Sequence, residues 1–141
     1  MTTLTRSPMI QLRSGRYLDL LDPKPTDIRI EDIAHALAHL CRFGGHTKGF
    51  HSVAAHSMLV SANVPVDLAL AGLLHDAAEA YLGDISTPVK RIIDSPNFVA
   101  VEDRLNCVIA ERFGFTFPFH PAVKEADPFD SLCHLELGRQ L

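Results

Sequence analysis

Apolar and polar positions follow two different rhythms along this chain. In residues 9–21 they alternate around a turn at Arg13-Ser14-Gly15-Arg16, which predicts a short β-hairpin that ends at Asp22-Pro23-Lys24-Pro25. Farther along, apolar residues recur every three or four positions, which is typical of amphipathic helices. Helices are predicted at residues 31–41, 52–63, 65–81, 86–93 and 95–113, and from Pro121 to a break or bend at Pro128.

The apolar faces of these helices are the predicted core of an all-α bundle. Ser52 is the predicted N-cap of the second helix. The aromatic loop at residues 113–119 is predicted to pack on the core, with a subunit contact as the alternative. The inward positions are Ile33, Leu37 and Leu40 in the first helix, Val53, Leu59 and Val60 in the second, and Val101, Leu105, Val108 and Ile109 in the helix at 95–113.

The segment 65–81 is nearly all apolar and is predicted to be one continuous helix at the centre of the domain. His75, Asp76 and Glu79 interrupt it. Buried charges are usually paired or bound to metal, because an unpartnered buried charge is costly. On a continuous helix Glu79 would lie one turn beyond the His-Asp pair on the same face. The segment therefore predicts half of a metal site.

Composition narrows the class of protein. The chain has 141 residues, 47% hydrophobic and 21% charged, which predicts one globular domain over residues 1–141. A net charge of −4 argues against a general nucleic-acid binder. Three scattered cysteines, no signal pattern at the N-terminus and no membrane-length apolar run predict a cytoplasmic protein without a membrane partner.

Several residues could complete the metal site. His56 lies among small and apolar residues, so it is either a ligand or a structural core histidine. Asp127 could be a ligand, or a surface acid paired with Lys124 one turn before it. His35 and His39 have a spacing that can bind zinc but lack a flanking glutamate motif.

Together these residues resemble the HD-domain phosphohydrolases. That family has a helix histidine, an adjacent His-Asp pair and a distant aspartate, which here are His56, His75-Asp76 and Asp127. The resemblance extends over about residues 28–127 and is closest to the branch of 5′-deoxynucleotidases and of phage and bacterial deoxynucleoside triphosphate phosphohydrolases. The supporting segments are Val53-Ala54-Ala55-His56-Ser57, Leu73-Leu74-His75-Asp76-Ala77-Ala78-Glu79 and Gly83-Asp84-Ile85-Ser86-Thr87-Pro88-Val89-Lys90.

The resemblance implies an HD-type helical bundle and one divalent transition metal ion, Mn, Co, Fe, Ni or Zn, held by His56, His75, Asp76 and Asp127. It implies that Glu79 positions or deprotonates the attacking water and that Asp84 assists. Several relatives have tryptophan where this chain has Phe43, so base selectivity is open. The implied substrate contacts are Arg42, Phe43, His46, Lys90 and Lys124.

The implied activity is hydrolysis of a phosphate of a small nucleotide, a dNMP or dNTP, by a homo-oligomer. The alternatives are an alarmone hydrolase acting on ppGpp and a non-catalytic nucleotide-binding module. A second metal would need further histidines, for which His46 and His51 are candidates.

Overall fold

A computed structural model of the protein describes residues 8–128. The described part is mostly helical, with one antiparallel hairpin near its beginning. Short 3₁₀ turns lie at Pro25–Asp27, Arg42–Gly45 and Val66–Leu68. The strands and helices are β1 (Met9–Gln11), β2 (Tyr17–Asp19), α1 (Ile30–His39), α2 (Val53–Ala62), α3 (Ala69–Leu73), α4 (Glu79–Leu82), α5 (Thr87–Ile93), α6 (Pro96–Phe113) and α7 (Pro121–Ala126).

The hairpin forms as predicted and is tied to the first helix. Ile10 pairs with Leu18, whose side chain is fully buried in the core. The Ser14 backbone N–H and hydroxyl donate to the Asp32 carboxylate at 2.8 and 2.9 Å. Asp32 is itself buried, so these two bonds satisfy its charge and hold the hairpin turn against α1.

Helix starts agree closely with the sequence prediction. The Ser52 hydroxyl accepts from the Ala55 N–H at 3.0 Å and caps α2. Ser95 caps α6 in the same way, followed by Pro96 in the first turn. These local signals need no tertiary contact, which is why the sequence predicts them well.

The core lies where α1, α2, α4 and α6 meet. Most predicted inward residues belong to it, with Ile33, Leu37, Val53, Leu105 and Ile109 buried and Leu40, Val101 and Val108 partly buried against it. Val60 is also buried, in a second and smaller cluster with Ala71, Val123 and Ala126. The prediction that Leu59 faces inward is wrong, since this residue is 40% exposed. Phe115 and Phe119 of the aromatic loop pack on the chain's own core, as predicted.

The predicted continuous helix over residues 65–81 is wrong. It begins as a 3₁₀ turn, becomes α3, and then breaks between Leu73 and Glu79 before α4 resumes. In the break, backbone bonds join Ala77 N to Leu74 O and Glu79 N to Asp76 O, three residues apart rather than four. The break places His75 and Asp76 on a turn instead of a regular helix face.

Among the described residues, none of the helices combines the length and apolar character that a membrane span requires.

Candidate metal centre

Three separate parts of the chain supply the candidate ligands. His56 lies in the middle of α2 and is fully buried. His75 and Asp76 lie in the turn after α3, and Asp127 directly follows α7. Because α2 packs against α3, the two histidine rings meet edge to face with their centroids 5.0 Å apart.

The ligand atoms converge on one point. The Nε2 atoms of His56 and His75 are 3.2 Å apart, and Asp127 Oδ1 lies 2.8 and 3.0 Å from them. Asp76 Oδ2 lies 3.1 Å from the Nε2 of His75 and 3.3 Å from that of His56. Four such atoms within 4.8 Å of one another could hold a metal ion.

These distances and donor types fit a first-row divalent ion. Nitrogen and oxygen ligands lie about 2.0–2.2 Å from such an ion, and this places neighbouring ligands about 2.8–3.6 Å apart in tetrahedral or octahedral geometry. His75 Nδ1 donates its hydrogen to the Gly72 carbonyl oxygen at 2.7 Å. This bond leaves the lone pair of a neutral His75 on Nε2, which is the atom that faces the other ligands.

Without a bound cation, the charges of the cluster favour protonated histidines. Burial lowers the pKa of His75, but Asp127 and Asp76 outweigh burial and raise it to about 10. Burial likewise lowers the pKa of His56, and contacts with Asp127 and Asp76 raise it overall. Burial raises the pKa of both aspartates, and the two imidazoles reverse this and lower it. A metal ion would replace these protons.

A cavity of about 410 Å³ opens onto the cluster. We call it the Arg42 cavity, after the cationic side chain in its wall that lies beside Asp76. Asp76 and Asp127 reach it from the cluster, and Ser86 and Thr87 add hydroxyls. Its remaining charged and aromatic lining consists of Arg42, Phe43, Glu79, Asp84 and Lys90.

The cations of this cavity are held in defined positions. The Arg42 guanidinium lies 3.9 Å from Asp76 Oδ2 and its central carbon is 5.0 Å from the centre of the Phe43 ring. Lys90 Nζ donates to Glu102 on α6 at 3.1 Å, an ion pair that the sequence analysis did not predict.

Glu79 is the unusual carboxylate of the cavity. Its Oε2 is buried and has no hydrogen-bond partner among the described residues. Burial, with Asp76 and Asp84 adding repulsion, raises the pKa of Glu79 to about 9. Burial also raises the pKa of Asp84, although Arg42 opposes the shift. Glu79 can therefore hold a proton, and a nearby cation would favour its ionised form.

The structure brings most predicted site residues together, but not all of them. His46 is exposed and does not line the Arg42 cavity. His46 and His51 are both outside the ligand group. Lys124 lies in a different cavity that touches the same cluster. His35 and His39 stack on each other with ring centroids 4.1 Å apart, are exposed, and are not part of the ligand group.

That other cavity is also lined by Asn106 and Glu102, which were not among the predicted site residues. A signal for Asn106 was present, since it falls between Leu105 and Ile109 on the apolar face of α6. A polar amide at a buried position usually has a hydrogen-bond partner. Glu102 had no comparable signal, because its pairing with Lys90 depends on how α5 and α6 pack.

No protein-family model matches the chain. An uncharacterized protein of Rhodobacter capsulatus is 47% identical over 130 aligned residues, which cover 83% of this chain and 66% of that protein. The uncharacterized protein YfdR of Escherichia coli K12 is 40% identical over 118 residues, which cover 84% of this chain and 65% of that protein. The chain thus spans just under two thirds of the length of these curated relatives, whose names assign no activity.

Proposed function

We propose that the protein is a metal-dependent phosphohydrolase of the HD-domain type that acts on deoxynucleotides. The observation that carries the proposal is the convergence of two imidazoles and two carboxylates at one edge of a cavity that also holds Arg42, Lys90 and Glu79. Metal ligands, anion-binding groups and a proton acceptor are the three components that hydrolysis of a phosphate requires.

His56, His75, Asp76 and Asp127 would hold the divalent ion. When bound, such an ion supplies charge neutralisation for a phosphate and lowers the pKa of a coordinated water. Two nitrogen and two oxygen donors suit Mn, Fe, Co, Ni or Zn better than Mg or Ca. The described residues contain one such ligand group, which supports a single ion.

Arg42 and Lys90 would bind the phosphate oxygens. The guanidinium of Arg42 offers a planar set of donors that matches phosphate. Phe43 and Asp76 fix its position, so little conformational freedom is lost when a phosphate binds. Lys90 reaches the cavity from α5 as a single positive charge, held at its other side by Glu102.

Glu79 would accept the proton of the attacking water. The water oxygen bonds to phosphorus, the phosphorus–oxygen bond to the leaving group breaks, and the leaving oxygen takes up a proton. Burial raises the pKa of Glu79, so once a bound cation has ionised it, this carboxylate is a stronger base than one exposed to water. Asp84, in the same wall and also of raised pKa, would orient the water or the sugar end of the substrate.

The test is a substrate panel with the purified, metal-loaded protein. We expect dNMPs or dNTPs to release phosphate, pyrophosphate or triphosphate with Mn or Co, detected by chromatography, while ppGpp and ribonucleotides serve as comparison substrates. Replacing Glu79 by Gln should keep the metal and lower turnover about 10²–10⁴-fold, which is the usual contribution of a general base. Exchanging the exposed Glu111 of α6 for Gln is the matched control.

Two results would contradict the proposal. A protein that binds no transition ion at neutral pH lacks the proposed centre. A metal-loaded protein that hydrolyses no nucleotide, or that is unaffected by the Glu79→Gln change, has a different function or a different base.

A further inference from the structure

A second cavity, of about 440 Å³, meets the ligand cluster at Asp76 and Asp127. We call it the aromatic cavity. His75 also lines it, so a molecule bound there would lie beside the same ligand cluster as one bound in the Arg42 cavity. Its volume is within the range of small-molecule sites, which is about 300–1,000 Å³. The two cavities share the two carboxylates but otherwise have different walls.

Asn106 is a polar residue of this wall whose side-chain oxygen has no hydrogen-bond partner among residues 8–128. It lies on the buried face of α6 with 8% of its surface exposed. Its Oδ1 is buried and accepts no hydrogen bond from residues 8–128. A buried amide without partners destabilises a fold, and leucine of similar size would avoid this cost. Because Asn106 lines the aromatic cavity, a ligand bound there could donate the hydrogen bond that its oxygen lacks.

The rest of the wall favours a planar ring. Phe117 and Phe119 meet edge to face with centroids 5.2 Å apart and planes at 82°. Together they give the cavity an aromatic side, on which a flat heterocycle can stack. Asp103 and Lys124 add a hydrogen-bond acceptor and a donor at the edge of the same cavity.

The Arg42 cavity is less suited to a planar ring. Its wall is mostly charged or hydroxylated. Phe43 is the one aromatic residue among the described residues that line it, and the Arg42 guanidinium lies over the Phe43 ring. A ligand with an ionic end and a planar end would therefore place its ionic end in the Arg42 cavity and its planar end in the aromatic cavity, on the other side of the ligand cluster. A nucleotide has these two ends.

We propose that the aromatic cavity binds the nucleobase of the substrate, with the Asn106 amide bonded to the base edge and Phe117 and Phe119 against the ring. This inference rests on the proposed function for the phosphate end of the same molecule. Asparagine can pair with adenine through two hydrogen bonds, one donated and one accepted. Asn106 is thus assigned as the residue that recognises the base.

The test measures binding of 2′-deoxyadenosine, which has a base and no phosphate, to the full metal-loaded protein. Titrations followed by NMR chemical shifts extend into the millimolar range, and 2′-deoxyribose is the baseless control. We expect 2′-deoxyadenosine to bind and 2′-deoxyribose not to bind. Asn106→Leu should weaken nucleoside binding about tenfold or more, since a bidentate contact with a base is lost.

Asn97→Leu is the matched control, because Asn97 is exposed on the same helix and outside this cavity. Its nucleoside affinity should equal that of the wild type. Phe117→Leu, in a loop, is a second test of the same wall and should also weaken binding. Thermal melting shows whether each variant is folded, and Phe117→Leu decides the matter if Asn106→Leu does not fold.

The outcomes separate this inference from the proposed function. Absence of 2′-deoxyadenosine binding, or an unchanged affinity in folded Asn106→Leu, overturns the base site even when nucleotides are hydrolysed. Binding that depends on Asn106, in a protein that hydrolyses no nucleotide, supports the base site and contradicts the hydrolase function.

Discussion

At the residue scale, His75 links backbone geometry to ligand chemistry. Its Nδ1 hydrogen bonds to Gly72 O, which in a continuous helix would accept from the N–H of Asp76. The His75 side chain thereby replaces a backbone N–H as the donor to a carbonyl at the end of α3. The same bond orients the ring with Nε2 toward His56. One hydrogen bond thus accompanies both the break in the helix and the orientation of a ligand.

Glu79 leads to a prediction about pH. Burial raises its pKa from 4.5 to about 9, so the folded metal-free protein favours the neutral carboxyl. The stabilisation from the neutral form is complete below about pH 4.5 and is lost as the pH rises toward 9. Metal-free Glu79→Gln, which cannot ionise, should therefore be more stable than the wild type above neutral pH, by ~1–3 kcal/mol.

Urea denaturation at a series of pH values measures this difference. Because the other groups titrate in both proteins, the difference isolates Glu79, and it should shrink toward zero near pH 4.5. A difference that stays constant from pH 5 to pH 9 would show that Glu79 is not buried with a raised pKa.

At the element scale, the position of α2 decides the position of His56. The helix begins at a true N-cap, where Ser52 accepts from the Ala55 N–H at 3.0 Å, four residues before the ligand. It continues across α3, where Gly72 allows the two backbones to approach closely. The site geometry therefore depends on a cap and a glycine that are not themselves ligands.

Ser52→Ala should lower the free energy of unfolding by about 1 kcal/mol, because it removes a capping hydrogen bond. Ser86→Ala is the matched control, since Ser86 precedes α5 without a side-chain capping bond. Chemical denaturation of both variants measures the difference. Equal losses in the two proteins would contradict the assigned role of the Ser52 cap.

Gly72→Ala should move α3 away from α2. A β-carbon at Gly72 would lie 3.2 Å from Val64 Cγ2 and 3.3 Å from Ser61 Cα, both tight contacts and one with backbone. We expect a loss of about 1–3 kcal/mol, the usual cost of overpacking, despite the better helix propensity of alanine. Because the shift would separate His75 from His56, metal affinity should fall as well.

Gly49→Ala is the control for that variant, since a β-carbon there meets nothing within 4 Å. Metal titration and denaturation should distinguish the two proteins. If Gly72→Ala changes neither metal affinity nor the free energy of unfolding, the close approach at Gly72 does not set the ligand geometry.

At the scale of the whole molecule, the ligand cluster joins distant parts of the chain. His56 and Asp127 are 71 residues apart in sequence and 2.8 Å apart at their ligand atoms. A metal ion there would bind the folded chain far better than the unfolded chain. Binding would therefore stabilise the fold as a whole.

Added Mn, Co or Zn should raise the melting temperature by several degrees, and a chelator should reverse the rise. At an ion concentration one hundred times the Kd, the expected gain is about 2.7 kcal/mol. Asp127→Asn should remove most of this gain, because a carboxylate ligand is lost. Asp67→Asn, at an exposed position of a 3₁₀ turn, should keep it. Equal gains in both variants would place the ion elsewhere.

Much of the fold was predictable because its signals are local. The hairpin, the Ser52 and Ser95 caps and the apolar faces of α1 and α6 depend on residues near one another in sequence. Ligand types were predictable for a similar reason, since a histidine and an aspartate in an apolar segment need partners wherever they lie. The resemblance to a known family added which distant residues to group with them.

The tertiary structure alone decided the rest. Periodicity could not predict the break between Leu73 and Glu79, because the apolar pattern continues through it and the compensating Gly72–His75 bond involves a side chain. Periodicity also could not predict that Lys90 pairs with Glu102 or that Asn106 lines a cavity, because both depend on the packing of α6. Sequence by itself determined which groups need a partner. Only the packed chain, through contacts between residues far apart in it, determined which partner each group meets.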